Sequence, residues 1–197
     1  MRSTLLACAL VVFSPELVAA EWQVRPFIGV TFGGDTTFVL NEAAGDSHRV
    51  FGVSGGWLGE VVGIEGDLGY SPGFFDSPRL VLSSRVTTAT ANVVVALPRR
   101  WTRYTLRPYV AAGGGVMRVR SEDRITGGLL GVDRTLPTMN VGGGATGFFT
   151  DRVGVNWELR YFRSFSREPT GVSIGDEQLS FWRATMALAL RLDRRAR

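Results

Sequence analysis

The sequence predicts an all-β protein, an eight-stranded antiparallel up-and-down β-barrel that follows a cleaved signal peptide. Three observations lead to this fold class. Apolar residues recur at every second position in eight separate segments, as in strands with one apolar face. The 25 glycines and the lack of helical periodicity argue against helices. Long and short connections alternate between the segments, as consecutive hairpins of an up-and-down barrel would require.

The N-terminal residues predict export. Arg2 is followed by an apolar run over 5–13 and by the small residues of 18–20, a signal-peptide cleavage pattern. The run is too short for a transmembrane helix, which needs ~20 apolar residues. We therefore expect a Sec-type signal peptide over residues 1–20 and one barrel domain over residues 21–197.

The composition excludes several classes of site. Cys8 is the only cysteine and lies in the expected signal peptide, so the mature chain should carry neither a disulfide nor a thiolate metal site. All 22 basic residues are arginine, and the formal net charge is +4. These arginines are scattered and form no patch interleaved with aromatic residues, so we expect no nucleic-acid partner.

The first four predicted strands each have a regular apolar face. The apolar sets are Trp22, Val24, Pro26, Ile28, Val30 and Phe32 in strand 22–33; Phe51, Val53, Gly55 and Trp57 in strand 49–58; Val62, Ile64, Gly66, Leu68 and Tyr70 in strand 60–71; and Ala89, Ala91, Val93, Val95 and Leu97 in strand 84–97. Because side chains alternate across a strand, the intervening residues share the opposite face.

The last four predicted strands are less uniform. Their apolar sets are Leu106, Pro108, Val110, Ala112 and Val116 in strand 105–119; Val141, Ala145 and Phe149 in the glycine-rich strand 138–149; Val153, Val155, Trp157, Leu159 and Tyr161 in strand 151–165; and Trp182, Ala184, Met186, Leu188, Leu190 and Leu192 in strand 179–192. The long connections, 34–48, 72–83, 120–137 and 164–178, all fall at one end of the predicted barrel.

The residues between the apolar ones decide between a soluble and a transmembrane barrel. A soluble barrel keeps its apolar face inside, whereas a membrane barrel turns that face to lipid and has a polar interior. Here the second face consists of charged residues and small ones, which suit a narrow eight-stranded interior. Aromatic residues near strand ends, Trp22, Trp57, Tyr70, Trp101, Tyr104 and Trp182, suit an interfacial belt. We therefore expect a transmembrane β-barrel; a soluble ligand-binding barrel is the alternative.

Six charged residues on the second face predict a charge network inside the barrel: Glu65, Asp67, Arg107, Glu158, Arg160 and Arg183. Arg25 and Arg191 belong to the same face. Charges of both signs in a narrow interior are expected to pair, because an unpaired buried charge is costly. We expect this network to fill the barrel; a conducting or gated path is the alternative.

Two stretches of sequence carry a family resemblance: "RPYVAAGGGVMRV" at 107–119 and "NVGGGATGFFTDRVGVNWELRYFRSF" at 140–165. Together they give a Pro-Tyr strand, a glycine-rich strand, an Asp-Arg turn and a strand ending in Glu-x-Arg-Tyr. This pattern resembles the outer-membrane β-barrel family that includes the transmembrane domain of OmpA-type porins and opacity-type surface antigens. The resemblance implies eight strands with both termini in the periplasm. Unlike OmpA, the sequence continues into no peptidoglycan-binding domain, and its last residues, 193–197, are not aromatic.

No arrangement of residues predicts catalysis, a cofactor or a metal. Asp46, Ser47 and His48 are consecutive, so they cannot form a triad by themselves, and His48 is the only histidine. The loop acids Asp133, Asp176 and Glu177 offer at most weak ligands for a hard cation, and we predict no metal site.

We therefore expect a non-enzymatic integral outer-membrane protein with a structural or surface-interaction role. The alternatives are a narrow porin-like channel for small solutes and a lipid A-modifying enzyme. The expected partners are outer-membrane lipid, the barrel assembly machinery during biogenesis, and an extracellular ligand bound through the long loops.

Overall fold

A computed structural model describes residues 21–36, 47–74, 81–98, 101–102, 106–123, 132–165 and 179–192. The expected signal peptide, Tyr104, Asp176 and Glu177 lie outside these ranges. Within them, no helix is long and apolar enough to cross a membrane.

Eight strands make up the fold: β1 (Glu21–Thr36), β2 (His48–Leu58), β3 (Val62–Pro72), β4 (Val81–Ala96), β5 (Leu106–Asp123), β6 (Val132–Phe148), β7 (Val153–Ser164) and β8 (Leu179–Arg191). Each strand pairs antiparallel with the next, and β8 pairs with β1 to close the barrel. The predicted eight-stranded antiparallel barrel is thus confirmed. The β1–β8 register shifts between Phe32 and Asp35, where Gly33 adopts a positive φ of 61° that few other residues tolerate.

The barrel has two different ends. The turn end carries the β2–β3, β4–β5 and β6–β7 connections together with Glu21 and Arg191, the outer ends of β1 and β8. The loop end carries the other four connections, β1–β2, β3–β4, β5–β6 and β7–β8. The prediction of a loop over 120–137 is wrong at both of its ends, because β5 continues to Asp123 and β6 begins at Val132.

This longer hairpin has a physical reason. Leu136 on β6 is buried, as is its cross-strand partner Met117 on β5, so the alternating pattern of β6 continues past its predicted start at 138. Pro137 interrupts the sequence pattern but lies one residue beyond the last β6–β7 pair, Thr138 with Ser164. The β6–β7 edge ends there with one hydrogen bond, from the Phe165 N–H to the Pro137 carbonyl at 2.9 Å, so a missing N–H on Pro137 is tolerated. We call residues 117–123 with 132–137 the β5–β6 extension.

The two faces of every strand follow the predicted alternation. In β3, for example, exposed and buried residues alternate without exception from Val62 to Pro72. The outward face is largely apolar, and aromatic side chains are exposed toward both ends of the barrel: Trp22, Trp57, Trp101 and Phe149 toward the turn end, and Phe32, Phe51, Tyr70 and Trp182 toward the loop end. An exposed apolar band between two aromatic girdles is the surface of a transmembrane barrel.

Candidate functional site in the barrel lumen

Charged side chains from four strands, β1, β3, β7 and β8, meet halfway along the lumen. We call this set, Arg25, Glu65, Asp67, Glu158, Arg160 and Arg183, the charge layer. Arg160 is fully buried, and its Nη2 lies 2.8 Å from Glu65 Oε1 and 2.6 Å from Glu158 Oε2. One arginine on β7 therefore bridges a carboxylate on the far side of the barrel and a carboxylate two residues away on its own strand.

Arg183 on β8 is held both by charge and by aromatic rings. Its two terminal nitrogens donate to the two Asp67 oxygens at 2.9 and 2.7 Å, a bidentate pair that fixes the guanidinium plane. Its Cζ lies 4.8 Å from the ring centre of Phe27 and 4.7 Å from that of Phe162. The guanidinium thus gains cation–π contacts where no water competes.

Arg25 completes the layer by pairing with Glu65. Three arginines therefore face three carboxylates, Glu65, Asp67 and Glu158, and the formal charge of the layer is zero. Neutral amides and a phenol extend the layer on either side. Asn92 Nδ2 donates to Glu65 Oε1 at 3.1 Å, and the Tyr109 hydroxyl donates to Glu158 Oε2 at 2.8 Å. The charges inside this narrow space are balanced by direct contacts.

Glycines on the lumen face provide the room for these long side chains. A Cβ at Gly69 would lie 2.8 Å from Nη1 of Arg183, and one at Gly144 would lie 2.9 Å from the Tyr109 hydroxyl. Both positions must therefore remain without a side chain for the layer to form as it does. Within the glycine triplet at 142–144, Gly142 and Gly144 are thus explained by close approach inside the barrel, where a Cβ at Gly142 would lie 2.9 Å from the Arg160 Cβ.

Arg107 lies outside the charge layer, toward the turn end. Its Nε donates to the Leu97 carbonyl at 3.1 Å, and its Nη2 donates to the carbonyls of Gly59 and Glu60 at 2.8 and 2.5 Å. It thus ties together the β2–β3 and β4–β5 connections. Of the six residues predicted to form the network, the structure brings five together and gives Arg107 a separate place.

A cavity of about 620 Å³ occupies the turn-end half of the lumen. Arg25, Glu65 and Tyr109 of the central region line its inner part. Arg107, Glu21 and Arg191 line it nearer the turn end, where Arg191 Nε lies 3.0 Å from Glu21 Oε1. The cavity therefore has a mixed lining, because Leu58, Val94, Ala96 and Phe148 share it with these charged residues, and the charge layer lies between it and the loop end.

An apolar cluster fills the lumen on the loop-end side of the charge layer. Its buried members are Phe74, Val86, Met117, Val119, Phe162, Leu179 and Phe181. The Phe162 and Phe181 rings stack with centres 5.3 Å apart, and Phe74 meets Phe181 edge-on at 5.1 Å. The expected polar interior is therefore incomplete, because its loop-end part is apolar.

The sequence placed Arg25 on the lumen face but did not predict it as one of the network residues. Hydrogen bonds from Tyr109 and Asn92 to the network, and from Asn140 to Asn92, were not predicted either. The lumen-facing alternation identified the face of all four. Their positions along the barrel axis could not be read from the sequence, because these positions depend on the register between strands. In the structure Glu65 lies opposite Asn92, and Asn140 Nδ2 on β6 donates to Asn92 Oδ1 at 2.8 Å.

The residues considered for chemistry show no assembled site among the described ranges. The His48 ring stacks on Phe74 with ring centres 5.3 Å apart, at the edge of the apolar cluster. Asp133 contacts Arg118 and Arg120 on the outside of the β5–β6 extension. No group of three or more histidine, cysteine or acidic residues suited to a metal ion occurs in the described part of the chain.

Comparison with known proteins gives the same picture as the geometry. A family model described as "Outer membrane protein beta-barrel domain" matches residues 4–188. Neisserial surface protein A is similar in structure, with a TM-score of 0.62 and 13% identity over 87% of this chain and 97% of that one. No protein with a curated description is significantly similar in sequence.

Two further solved structures share the fold. The N-terminal β-barrel domain of Pseudomonas aeruginosa OprF has a TM-score of 0.51 and 15% identity, covering 87% of this chain and 97% of that one. Ail, the attachment invasion locus protein of Yersinia pestis, in complex with the heparin analogue sucrose octasulfate, also has a TM-score of 0.51, with 12% identity and the same coverage.

Proposed function

The chain belongs to the outer membrane protein beta-barrel domain family, and from that premise we propose that it is a non-conducting, non-enzymatic barrel of the bacterial outer membrane. Its role in this proposal is structural or surface-interacting, with partners bound through the long connections of the loop end. Export through the Sec pathway and insertion by the barrel assembly machinery are part of the same proposal.

One observation carries the non-conducting part of this proposal: two consecutive barriers lie across the lumen. An ion entering from the turn end meets the charge layer, in which Arg160 is fully buried between Glu65 and Glu158. Beyond it lies the apolar cluster, in which Met117 and Phe162 are also fully buried. An ion crossing this cluster would lose its hydration without gaining polar contacts.

Planar-bilayer recording of the refolded full chain tests this directly. We expect no stable current steps, because both barriers would have to open at once. Stable steps would contradict the proposal and favour the narrow porin-like channel. One observation supports that second candidate: the turn-end cavity of about 620 Å³ has Arg25, Arg107 and Arg191 in its lining.

Orientation in the membrane is testable because the only cysteine is Cys8, in the expected signal peptide. Ser47→Cys adds an exposed thiol at the loop end, and Asp151→Cys adds one at the turn end. A membrane-impermeant maleimide should label the first variant on intact cells and the second only after the outer membrane is opened. The reverse labelling would overturn a surface role for the loop end.

The absence of enzyme activity is tested on the lipid itself. Mass spectrometry of lipid A from cells with and without the protein should give identical acyl and phosphate patterns. A reproducible loss or gain of an acyl chain would replace this part of the proposal with a lipid A-modifying activity. A variant of His48, the only histidine, would then show whether that residue takes part.

A further inference from the structure

We propose that the outer face of β2–β5 holds one phosphorylated lipid, with its phosphate on an arginine row near the loop end and an acyl chain in a groove below. The inference rests on the membrane location that the family implies and is independent of the surface role proposed above.

The arginine row is created by strand register. Pro72 on β3, Arg85 on β4 and Arg120 on β5 are direct cross-strand partners in one line across the sheet. Arg49 on β2 lies on the same outward face, two residues beyond Phe51, the last β2 residue that pairs with β3 (at Tyr70). Arg118 lies one outward position closer to the membrane centre, in line with Thr87 and Tyr70. All four arginines, Arg49, Arg85, Arg118 and Arg120, lie on the outward side of the barrel, and together they are the arginine row.

The charges in this row are poorly compensated. Arg85 lies directly opposite Arg120 on the adjacent strand, an arrangement of like charges that is normally avoided. Asp133 is shared by Arg118 and Arg120, with Nη2 to Oδ2 distances of 2.8 Å for each. Among the described side chains, nothing forms an ion pair or hydrogen bond with the Arg49 or Arg85 guanidinium. Among the described residues, the Arg49 and Arg85 guanidinium groups therefore have donors without a protein partner, and arginine binds phosphate in bidentate fashion.

The row lies at the height of a lipid headgroup. From Arg85 toward the turn end, the outward residues of β4 are Thr87, Ala89, Ala91, Val93 and Val95, with no charge among them. Phe51 and Tyr70, the exposed aromatic residues of β2 and β3, lie one outward position below the row. Aromatic residues of this kind mark the boundary between hydrocarbon and headgroups.

Below the row, the same four strands form a lateral groove. Gly55, Gly66, Ala91 and Gly114 lie side by side on the outward face and leave a gap in the side-chain surface. Trp57, Ile64 and Val93 form its lower wall, and the space measures about 470 Å³. Glu65 and Asn92 also line the space, but its exposed lining is mostly apolar, as an acyl chain requires.

The separation of the two features matches one lipid leaflet. Arg85 and Ala91 are six residues apart on β4, or about 20 Å along a strand. With a strand tilt of ~40° this is a depth of about 15 Å, half of a hydrocarbon core ~30 Å thick. A lipid whose phosphate contacts the arginine row would therefore place its chain ends at the groove.

Native mass spectrometry of the full chain in a non-ionic detergent tests the proposal. The probe is dimyristoyl phosphatidic acid, with dimyristoylglycerol and inorganic phosphate as matched partial ligands. We expect one phosphatidic acid to remain bound and neither partial ligand to reach comparable occupancy. Equal retention of the diacylglycerol, or equal occupancy by inorganic phosphate, would overturn a site that needs both headgroup and chain.

Variants of the arginine row test the headgroup contact. The double variant Arg85→Gln with Arg120→Gln should weaken phosphatidic acid binding about thirtyfold, since each basic residue near a membrane contributes ~1 kcal/mol. Asp133→Asn should strengthen binding, because it releases Arg118 and Arg120 from their shared carboxylate. Arg163→Gln, an exposed arginine on β7 outside the row, is the matched control and should change nothing. Equal effects of row and control variants would contradict the proposal.

Variants of the groove test the chain contact. Ala91→Leu or Gly66→Leu should fill the groove and reduce phosphatidic acid binding; a Cβ at Gly66 has no neighbour closer than 3.8 Å, so the barrel should tolerate it. Gly147→Leu, where a Cβ has comparable room outside the groove, is the control. Heat-modifiable migration verifies that each variant folds. If the groove variants instead split a dimer of the wild type, a second copy occupies the groove and the proposal is wrong.

Discussion

The charge layer and the apolar cluster fill neighbouring parts of the same lumen, the first through ion pairs and the second through apolar packing. In the charge layer each group depends on specific partners, because Arg160 and Arg183 are fully buried and would be costly without carboxylates. In the apolar cluster each side chain contributes its own contact area, and no single neighbour is essential. Loss of one charged residue should therefore lower the free energy of unfolding sharply, because its partners remain buried without a counter-charge. Truncation of one apolar side chain should lower the free energy of unfolding only by the contact area that it removes.

The largest effect should come from Glu65→Gln. Glu65 pairs with both Arg25 and Arg160, so the neutral side chain leaves two buried guanidinium groups with too little negative charge. We expect the free energy of unfolding to fall by ~3–5 kcal/mol. Urea titration followed by heat-modifiable migration measures it. Glu60→Gln in the β2–β3 turn is the control. A similar loss of free energy of unfolding in this variant would mean that the charge layer contributes no more to stability than an ordinary turn residue.

Truncation in the apolar cluster should cost somewhat less. Met117→Ala removes a fully buried side chain and should lower the free energy of unfolding by ~2–5 kcal/mol, depending on how far the neighbours close the gap. Met139→Ala provides the matched control, because Met139 faces outward from β6 and is 51% exposed. Equal losses in the same urea titration would show that the loop-end lumen is not packed as described.

Coupling between residues distinguishes the two regions most sharply. Asp67→Asn and Arg183→Gln should each destabilise the barrel, but the double variant should lose ~1–3 kcal/mol less than the sum of the two, since neither charge remains alone. The corresponding urea midpoints give the coupling energy. Strict additivity would contradict a dependent pair at this site.

The smallest effect on stability should come from the exposed pairs of the β5–β6 extension. The hydrogen bond from Arg118, and then that from Arg120, hold the pKa of the Asp133 carboxyl below its usual range. A depressed pKa means that any stabilisation is present at neutral pH and is lost only as the pH falls through the folded-state value. Because these side chains are exposed, we expect Asp133→Asn to leave the urea midpoint unchanged at neutral and mildly acidic pH. A clear shift would show that the extension contributes to global stability.

The sequence predicted correctly which side of the sheet each side chain occupies, but not its position along the barrel axis. Val153 to Tyr161 alternate so regularly that the lumen face of Glu158 and Arg160 followed directly, and β7 has that arrangement. Arg107 shares the lumen face too, yet it contacts the turns near Gly59 and Leu97 rather than the charge layer. Alternation assigns a side of the sheet, whereas position along the barrel axis depends on how each strand is staggered against its neighbours.

The extent of β5 and β6 illustrates a second limit. Ser121, Asp123 and Pro137 are residues typical of loops, and they led to the prediction of a loop over 120–137. Pairing of Arg120 with Asp133 across the hairpin, together with burial of Val119 and Leu136, outweighs those local preferences. Strand propensity depends on cross-strand neighbours that a single segment does not reveal.

By itself, the sequence determined the number of strands, their order and the face that each side chain occupies, because a two-residue alternation is a local property of the chain. Only the tertiary structure decided which charges meet, since Arg160 and Glu65 are joined by closure of the barrel across its interior. It also decided that Arg85 and Arg120 lie opposite each other above a groove. Residues far apart in sequence become neighbours there through register, and register is set by the whole closed sheet.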